Sequence, residues 1–284
     1  MSTWQALFIG FLQGASELFP ISSLGHAVIV PALLHWGSIQ SAPTWVPFLT
    51  LLHLGTAAAL LLIYRRDWVR IVAGFVRAGV RGRIETEDER LAILLAIGTV
   101  PTGILGVFLE TPFKHLFATP RFAAAALIVN GAILLAAELV RRRDERRAHL
   151  EGQARERQEE AYADVSKLTW RAALVVGLAQ SLALFPGISR SGVTIAAGLF
   201  AGLRHQEAAR FAFLLATPII GAAGLLEVPQ LVGTGVPVGT YLAATLLAGV
   251  AAYLSARFLI RYFRSGRLDP YAYYCAALGV ASLA

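Results

Sequence analysis

The sequence has little of what a water-soluble protein needs. Of its 284 residues, 15% are charged and 56% are hydrophobic, whereas an ordinary soluble domain has about 25% charged and about 45–50% apolar residues. It contains one cysteine, Cys275, and one methionine, so it has no basis for a disulfide framework or a cysteine-rich metal site. Of the 25 basic residues, only Lys114 and Lys167 are lysine. These scarcities argue against a soluble enzyme and against a small secreted domain.

Charge is almost missing from two long stretches. Residues 1–64 contain one formally charged side chain, Glu17, and residues 172–203 contain one, Arg190. A helix satisfies its own backbone groups in hydrocarbon and needs about 20 apolar residues to cross it. We therefore predict an all-α polytopic membrane protein. The net charge of +7 then reflects the orientation of the chain in the membrane. We expect contact with membrane lipids and no nucleic-acid binding.

Most arginines fall into three clusters, at residues 65–90, 141–171 and 257–267. Short loops rich in arginine stay on the cytoplasmic side of a membrane, so these clusters set the direction of the apolar segments between them. The loops at 110–120 and 229–238 are then external. This pattern predicts about six transmembrane helices, near residues 48–64, 91–109, 121–140, 211–227, 239–260 and 270–284.

Two apolar stretches do not fit as full crossings. Residues 172–203 begin and end beside cytoplasmic arginines, and Pro186 and Gly187 interrupt them. By the same alternation of cytoplasmic and external ends, residues 1–42 begin and end outside, and they are interrupted at residues 19–25. We predict two re-entrant helical hairpins that enter from opposite faces. Because broken backbone at membrane depth must be buried in protein or line a wet cavity, the two tips should meet in one cavity.

Internal similarity supports this pairing. A shift of 167 positions gives five identities in a window of sixteen residues, and opposite insertion with internal similarity is typical of an inverted-topology repeat. We predict one integral-membrane domain with repeat 1 at about 1–140, a charged cytoplasmic linker at about 141–171, as a solvated helix or a disordered segment, and repeat 2 at about 172–284. The five identities are Gly10 with Gly177, Gln13 with Gln180, Ile21 with Ile188, Ser22 with Ser189, and Gly25 with Gly192.

Ionisable side chains in an apolar hairpin are costly, so Glu17 and Arg190 need a reason to be there. They could neutralise each other as a structural ion pair. Their neighbours favour a reaction site, because Gln13 lies one helical turn before Glu17 and His26 follows nine residues after it. Hydroxyl groups surround both tips, at Ser22, Ser23, Ser189, Ser191 and Thr194.

These groups suit phosphate chemistry. Arg190 offers a planar, bidentate fork to phosphoryl oxygens, and each tip leads into a helix N-terminus, which favours anions. Glycines at the tips, Gly25, Gly187 and Gly192, allow close backbone approach. Glu17 with the Gln13 carbonyl can hold Mg²⁺ or Ca²⁺, with water and substrate phosphates completing the oxygen shell. A lipid diphosphate that enters from the bilayer fits such a site.

Two motifs resemble a known family. The segment from Gln13 to His26 (QGASELFPISSLGH) is similar to the [E/Q]-x-x-x-E motif, followed by serine-serine-x-glycine-histidine, of the bacitracin-resistance undecaprenyl-diphosphate phosphatases. Residues 186–194 (PGISRSGVT) match that family's P-G-x-S-R-S-x-x-T motif at each specified position. The resemblance spans essentially the whole chain. It implies removal of the terminal phosphate of undecaprenyl diphosphate, which recycles the cell-wall carrier lipid and confers bacitracin resistance.

The residues and the resemblance together suggest roles. Arg190 should clamp the diphosphate and stabilise the transition state, and Glu17 with Gln13 should position the metal. Ser23 is the candidate nucleophile, with His26 or Glu17 as its base, and attack by an activated water fits nearly as well. We expect the remaining hydroxyls and two glycines to bind phosphate: Ser22, Gly25, Gly187, Ser189, Ser191 and Thr194. For each of the hydroxyl residues, a helix cap is the alternative role.

Two positions depart from the family pattern. Gln13 replaces the first acidic residue, which leaves one local carboxylate for the metal, and Leu24 stands where a hydroxyl residue often follows the two serines. The remaining histidines, His35, His53, His115 and His205, lie in no motif. We interpret them as structural or interfacial, although His53 lies in a membrane helix and could contact the cavity.

A polyprenyl-phosphate flippase is the rival function, because inverted repeats with broken helices are also a transporter architecture. In that case Glu17 and Arg190 would couple or gate transport. The resemblance implies a bacterial cytoplasmic (inner) membrane protein, and the arginine clusters predict that its cavity opens to the external or periplasmic side. The sequence leaves open whether the chain forms a homodimer.

Overall fold

The computed structural model describes residues 1–113, 119–150, 164–231 and 233–283, and within these ranges the regular structure is entirely helical. Short 3₁₀ turns cover Val165–Lys167 and Ser181–Leu184. The helices in chain order are α1 (Thr3–Glu17), α2 (Ser23–Leu33), α3 (Gly37–Gln40), α4 (Trp45–Ile63), α5 (Arg65–Arg81), α6 (Glu87–Phe113), α7 (Pro120–Leu150), α8 (Trp170–Gln180), α9 (Arg190–Phe200), α10 (His205–Leu231), α11 (Val238–Tyr262) and α12 (Asp269–Leu283).

Five of these helices are long and apolar enough to cross a membrane: α4, α6, α7, α10 and α11. They confirm five of the predicted crossings and the polytopic all-α class. The sixth predicted crossing is α12, which has 15 residues and packs along α7. Helix α10 runs to Leu231, so the external loop predicted at 229–238 is shorter than expected. Residues 114–118 of the loop predicted at 110–120, and residues 151–163 of the charged linker, lie outside the described residues.

Helix α5 was not predicted, because its five arginines were interpreted as part of a charged cytoplasmic cluster. Its apolar side chains are exposed along one face, at Val69, Val72, Phe75, Val76 and Val80. The spacing of three or four residues is that of an amphipathic helix. Such a helix typically lies in the plane of the membrane interface.

The two predicted hairpins are present and begin at opposite ends of the molecule. The first comprises α1 and α2, and Thr3 at its start lies 3.4 Å from Thr240 at the start of α11, between their hydroxyl oxygens. The second comprises α8, the following 3₁₀ turn and α9. Its start lies beside α6, where Arg90 donates to the Leu168 carbonyl at 2.9 Å. After the shift of 167 positions, helix α2 coincides with α9 residue for residue, as an inverted repeat requires.

The arginine clusters lie at one end of the helical bundle. Arg210 of α10 pairs with Asp67 of α5 at 2.6 Å, and His205 of the same helix contacts Glu138 of α7 at 2.9 Å. At that end Arg142 also pairs with Asp269. The described parts of all three clusters therefore share one face, as the positive-inside pattern predicts.

Glycines let the hairpins pack closely on the long helices. A Cβ atom at Gly14 of α1 would lie 2.1 Å from the Ala248 carbonyl oxygen of α11, and one at Gly177 of α8 would lie 2.4 Å from the Gly98 Cα of α6. Such distances are far inside van der Waals contact, so these positions have no room for a side chain. The close approach fixes the depth at which each hairpin tip sits.

Candidate active site

The tip of the first hairpin is the turn between α1 and α2, and Ser22 organises it. Ser22 has a φ of 66°, in the left-handed region that residues other than glycine rarely adopt. Its hydroxyl caps α2 by accepting from the Gly25 amide at 3.1 Å, and it also accepts from the Gly187 amide of the second tip at 3.2 Å. The predicted meeting of the two tips is therefore present, and Ser22 joins them directly.

The tip of the second hairpin rests on α7. Gly187 has a φ of 104°, and a Cβ atom there would lie 2.2 Å from the Ala123 carbonyl oxygen. Both the conformation and the space require glycine at this position. The same glycine lies against Gly25, where an added Cβ would be 3.0 Å from the Gly187 Cα. Gly25 and Gly187 therefore bring the two backbones together, and phosphate binding by these glycines stays a prediction.

Asn130 of α7 connects both tips, and the sequence analysis did not identify it. Its side-chain amide donates to the Pro20 carbonyl at 3.0 Å, and its oxygen accepts from the Ser189 amide at 2.9 Å. The side chain is fully buried. A lone asparagine in the apolar run 121–140 was the signal that could have revealed it, since polar residues at membrane depth are costly and often functional.

The hydroxyls of the second tip make internal hydrogen bonds. Ser189 caps α9 by accepting from the Gly192 amide at 3.1 Å, and Ser191 donates to the Phe19 carbonyl of the first tip at 2.9 Å. Thr194 donates to the Arg190 carbonyl one turn back at 2.7 Å. These contacts fasten the tips to each other and to their helices. Phosphate binding by Ser189, Ser191 and Thr194 stays a prediction.

The charged groups of the two hairpins form a buried ion pair. Arg190 contacts Glu17 Oε1, and the side chains are 13% and 4% exposed, respectively. On the other carboxylate oxygen, Oε2, Glu17 accepts from the Ser23 hydroxyl and from the Gln13 amide, the latter at 3.2 Å. The structure thus brings together the predicted arginine, carboxylate, serine and amide, although they come from three separate helices.

His26 lies next to this group but faces away from Ser23. Its Nδ1 donates to the Ser22 carbonyl at 2.7 Å, because a carbonyl can only accept. Its Nε2 then accepts from the hydroxyl of Tyr274 on α12, also at 2.7 Å. Of the two bases predicted for Ser23, the carboxylate of Glu17 is therefore the one in hydrogen-bond contact with it.

Helix α4 adds two side chains that the sequence analysis did not place in the site. His53 Nε2 lies 3.3 Å from Glu17 Oε2, and Thr56 donates to the Gln13 side-chain oxygen at 3.4 Å. Both residues are buried. We interpreted His53 as structural or interfacial but left open a contact with the cavity, and the structure places it beside the carboxylate of Glu17.

The donors around Glu17 suit part of a divalent cation site. Among the described residues, no three histidine, cysteine, aspartate or glutamate side chains are placed so that they could hold a metal ion together. A carboxylate and an imidazole nevertheless converge from Glu17 and His53, and Gln13 presents its amide nitrogen to the same carboxylate while its oxygen faces Thr56. Magnesium and similar ions accept such a partial protein shell when water and substrate phosphates supply the remaining ligands. The residues present therefore fit a cation that is completed by a phosphate substrate.

Comparison with known proteins gives a consistent family. Residues 6–281 match the family described as "Bacitracin resistance protein BacA". The protein named "Undecaprenyl-diphosphatase" of Acidiphilium cryptum (strain JF-5) is 47% identical over 285 residues, which cover 98% of this chain and 96% of that protein. A protein of the same name from Mycobacterium avium (strain 104) is 46% identical, with 100% and 97% covered. "Undecaprenyl-diphosphatase 2" of Chromobacterium violaceum is 42% identical, with 100% and 98% covered.

Proposed function

The chain belongs to the bacitracin resistance protein BacA family, and we propose that it removes the terminal phosphate of undecaprenyl diphosphate. The products are undecaprenyl phosphate and inorganic phosphate. This hydrolase activity recycles the lipid that carries cell-wall precursors and confers bacitracin resistance.

One observation carries the proposal: Glu17 contacts both Ser23 and Arg190 across the two hairpins. A nucleophile, its base and a phosphate-binding cation are thereby held at one point. Because Arg190 offers five N–H donors in a fixed fork, it can keep Glu17 and still bind phosphoryl oxygens. If Glu17 and Arg190 only gated transport, their two charges would be needed, but Ser23 would have no role on the same carboxylate. The flippase alternative therefore has less support.

The contacts support a two-step reaction. Glu17 takes the Ser23 proton as the Ser23 oxygen bonds to the terminal phosphorus, and the bridging oxygen leaves with undecaprenyl phosphate. Water then attacks the phosphoserine, which releases phosphate and returns the proton to Ser23. Arg190 neutralises charge on the transferred group. If water attacks directly, Glu17 orients that water and Ser23 only binds phosphate; acid-stable phosphoserine on Ser23 during turnover separates the two routes.

A divalent cation is part of the proposal. Glu17, Gln13 and their neighbour His53 would hold it, and when bound it would polarise the terminal phosphate and offset its negative charge. Inhibition by EDTA with recovery on adding Mg²⁺ or Ca²⁺ supports this requirement. Full turnover in a strong chelator would contradict it.

We also propose that the protein lies in the bacterial cytoplasmic membrane with its arginine-rich end inside and its cavity opening outside. Thr234 lies in the turn before α11 and Ser265 in the turn after it, and both residues are exposed. The native Cys275 is buried, so single cysteines at these positions report accessibility. In intact spheroplasts a membrane-impermeant thiol reagent should label Thr234→Cys and spare Ser265→Cys; the reverse result overturns the orientation.

The phosphatase is tested with detergent-purified protein and undecaprenyl or farnesyl diphosphate. We expect phosphate release that depends on a divalent cation and is lost in Glu17→Gln. Reconstitution into vesicles gives the comparison with the flippase. Movement of polyprenyl phosphate between leaflets without phosphate release, under any divalent cation, would refute the phosphatase and support transport.

A further inference from the structure

Helix α12 forms a wall against the tip of the first hairpin. Its 15 residues place Tyr271 against Phe19, with the two ring centroids 5.7 Å apart. One turn later the Tyr274 hydroxyl oxygen lies 2.7 Å from His26 Nε2, and Cys275 Sγ lies 3.8 Å from a backbone carbonyl oxygen of the tip. Positions three and four residues apart share one helical face. This face of α12 therefore packs on the first tip.

His26 connects Tyr274 to the backbone of the tip. The imidazole is buried, and its Nδ1 donates to the Ser22 carbonyl at 2.7 Å. The planes of the His26 and Tyr274 rings are parallel to within 1°. The imidazole thus lies between a hydroxyl of α12 and a carbonyl of the tip, with a hydrogen bond at each ring nitrogen.

Ser22 needs such support because its backbone is strained. A residue with a side chain at a φ of 66° keeps that conformation only when its surroundings hold it. The Ser22 carbonyl accepts from the His26 ring and also from the His26 amide, the latter at 3.1 Å. Its hydroxyl accepts from the amides of Gly25 and Gly187. Loss of one of these contacts would let the Ser22 peptide relax.

The orientation of the Ser22 carbonyl sets the position of the candidate nucleophile. That carbonyl belongs to the peptide unit that joins Ser22 to Ser23, and a peptide unit is planar and rigid. A rotation of the carbonyl therefore moves Ser23, whose hydroxyl contacts Glu17 Oε2. The Tyr274 hydroxyl thus acts on the reacting group through one imidazole and one peptide unit.

We propose that Tyr274 is a positioning residue: its hydroxyl, through His26 and the Ser22 carbonyl, holds the Ser23 hydroxyl against Glu17. The use of these contacts in phosphate transfer rests on the proposed function. His26 thereby has a role that agrees with its orientation away from Ser23. Helix α12 also gains a role, although its 15 residues are fewer than the roughly 20 of a full crossing.

The first test removes only the hydroxyl, in Tyr274→Phe. Tyr273→Phe is the matched control, because Tyr273 is adjacent and 64% exposed. In phosphate release, Tyr274→Phe should lower kcat by about 10- to 100-fold, since a misplacement of about 1 Å costs about 10²-fold. KM should stay within about twofold, because the arginine of the second tip is unchanged. The control should keep both constants. Equal kcat values for the two variants, or a change confined to KM, would overturn the proposal.

A second comparison separates positioning from general stabilisation of the fold. In Ser23→Ala the hydroxyl that Tyr274 positions is absent, so adding Tyr274→Phe should leave the residual rate within about twofold. The residual rate is measured over long incubations with substrate labelled with ³²P at the terminal phosphate. If Tyr274→Phe lowers the rate by the same factor with and without Ser23, Tyr274 has only a structural role and the proposal is wrong.

Hydrogen–deuterium exchange tests the same connection without any activity. The Gly25 and Gly187 amides donate to the Ser22 hydroxyl. They should exchange about 2- to 10-fold faster in Tyr274→Phe, the change expected when one hydrogen bond is weakened or lost, and at the wild-type rate in Tyr273→Phe. Ser22→Ala removes the acceptor and gives the upper limit. Unchanged exchange in Tyr274→Phe would overturn the connection through Ser22. Faster exchange in a protein that releases no phosphate would instead refute the proposed function alone.

Discussion

Replacing Arg190 with lysine separates two roles that the ion pair with Glu17 allows. If Arg190 only neutralises Glu17, an ammonium group serves as well, since the attraction between unit charges is about 4 kcal/mol at 4 Å and an effective dielectric of about 20 for either cation. If Arg190 also binds the transferred phosphate, lysine lacks the planar second donor of the fork. The Glu17 contact uses one guanidinium nitrogen, Nη2, which leaves the other two for phosphate.

The size of the expected loss in turnover follows from the second role, binding of the transferred phosphate. Arginines that stabilise phosphoryl transfer contribute about 10³–10⁵ in kcat, or about 4–7 kcal/mol. We expect Arg190→Lys to lose about 10³-fold in phosphate release and to lie within about tenfold of Arg190→Ala. Lysine is the more informative variant, because alanine leaves the Glu17 carboxylate without its arginine partner and destabilises the fold by about 3–5 kcal/mol.

The assay is steady-state phosphate release in detergent, with thermal unfolding of each variant measured in parallel. Arg210→Lys is the control, since Arg210 also pairs with a carboxylate, Asp67 at 2.6 Å, but lies away from the tips. It should retain near wild-type turnover. If Arg190→Lys keeps more than about a tenth of wild-type turnover, Arg190 is a structural counter-ion and the assigned role is wrong.

Three further variants test the site's construction. Gly187→Ala places a Cβ atom 2.2 Å from a backbone oxygen, so size-exclusion chromatography should yield no folded protein. Gly79→Ala is the control and should be tolerated, because a Cβ atom there has no atom within 4 Å. Ser22→Ala removes a helix cap and the acceptor of the Gly187 amide, so the free energy of unfolding should fall by about 2 kcal/mol; an unchanged melting temperature would contradict this. Gln13→Glu adds a second carboxylate, so Mg²⁺ titration of activity should show a half-maximal concentration at least about tenfold lower.

Much of the site was predictable from the sequence because charged residues are scarce in the stretches that form it. In a chain so poor in charge, Glu17 and Arg190 stand out in apolar stretches, and the cost of burying them makes a shared site the simplest explanation. Proline and glycine breaks then locate the tips. The parity of the arginine clusters places the hairpins on opposite sides, and the structure has them beginning at opposite ends.

The contributions of α4, α5 and α7 were not predicted, for different physical reasons. Helix α4 is apolar on all sides, so hydrophobic periodicity gives no indication of which face His53 occupies. Asn130 hydrogen-bonds to backbone groups of the tips, and such contacts leave no motif of side chains in the sequence. Helix α5 carried a usable signal in the spacing of its valines and Phe75, but its arginines were given more weight.

The most direct test of the central claim follows the fate of the terminal phosphate. Undecaprenyl diphosphate labelled with ³²P only at that phosphate is incubated with the purified protein and a divalent cation, alongside Glu17→Gln. We expect all released label to be inorganic phosphate, unlabelled undecaprenyl phosphate to appear in equal amount, and the variant to release about 10²–10⁴-fold less. Label recovered as pyrophosphate, or retained entirely in the lipid, would contradict it.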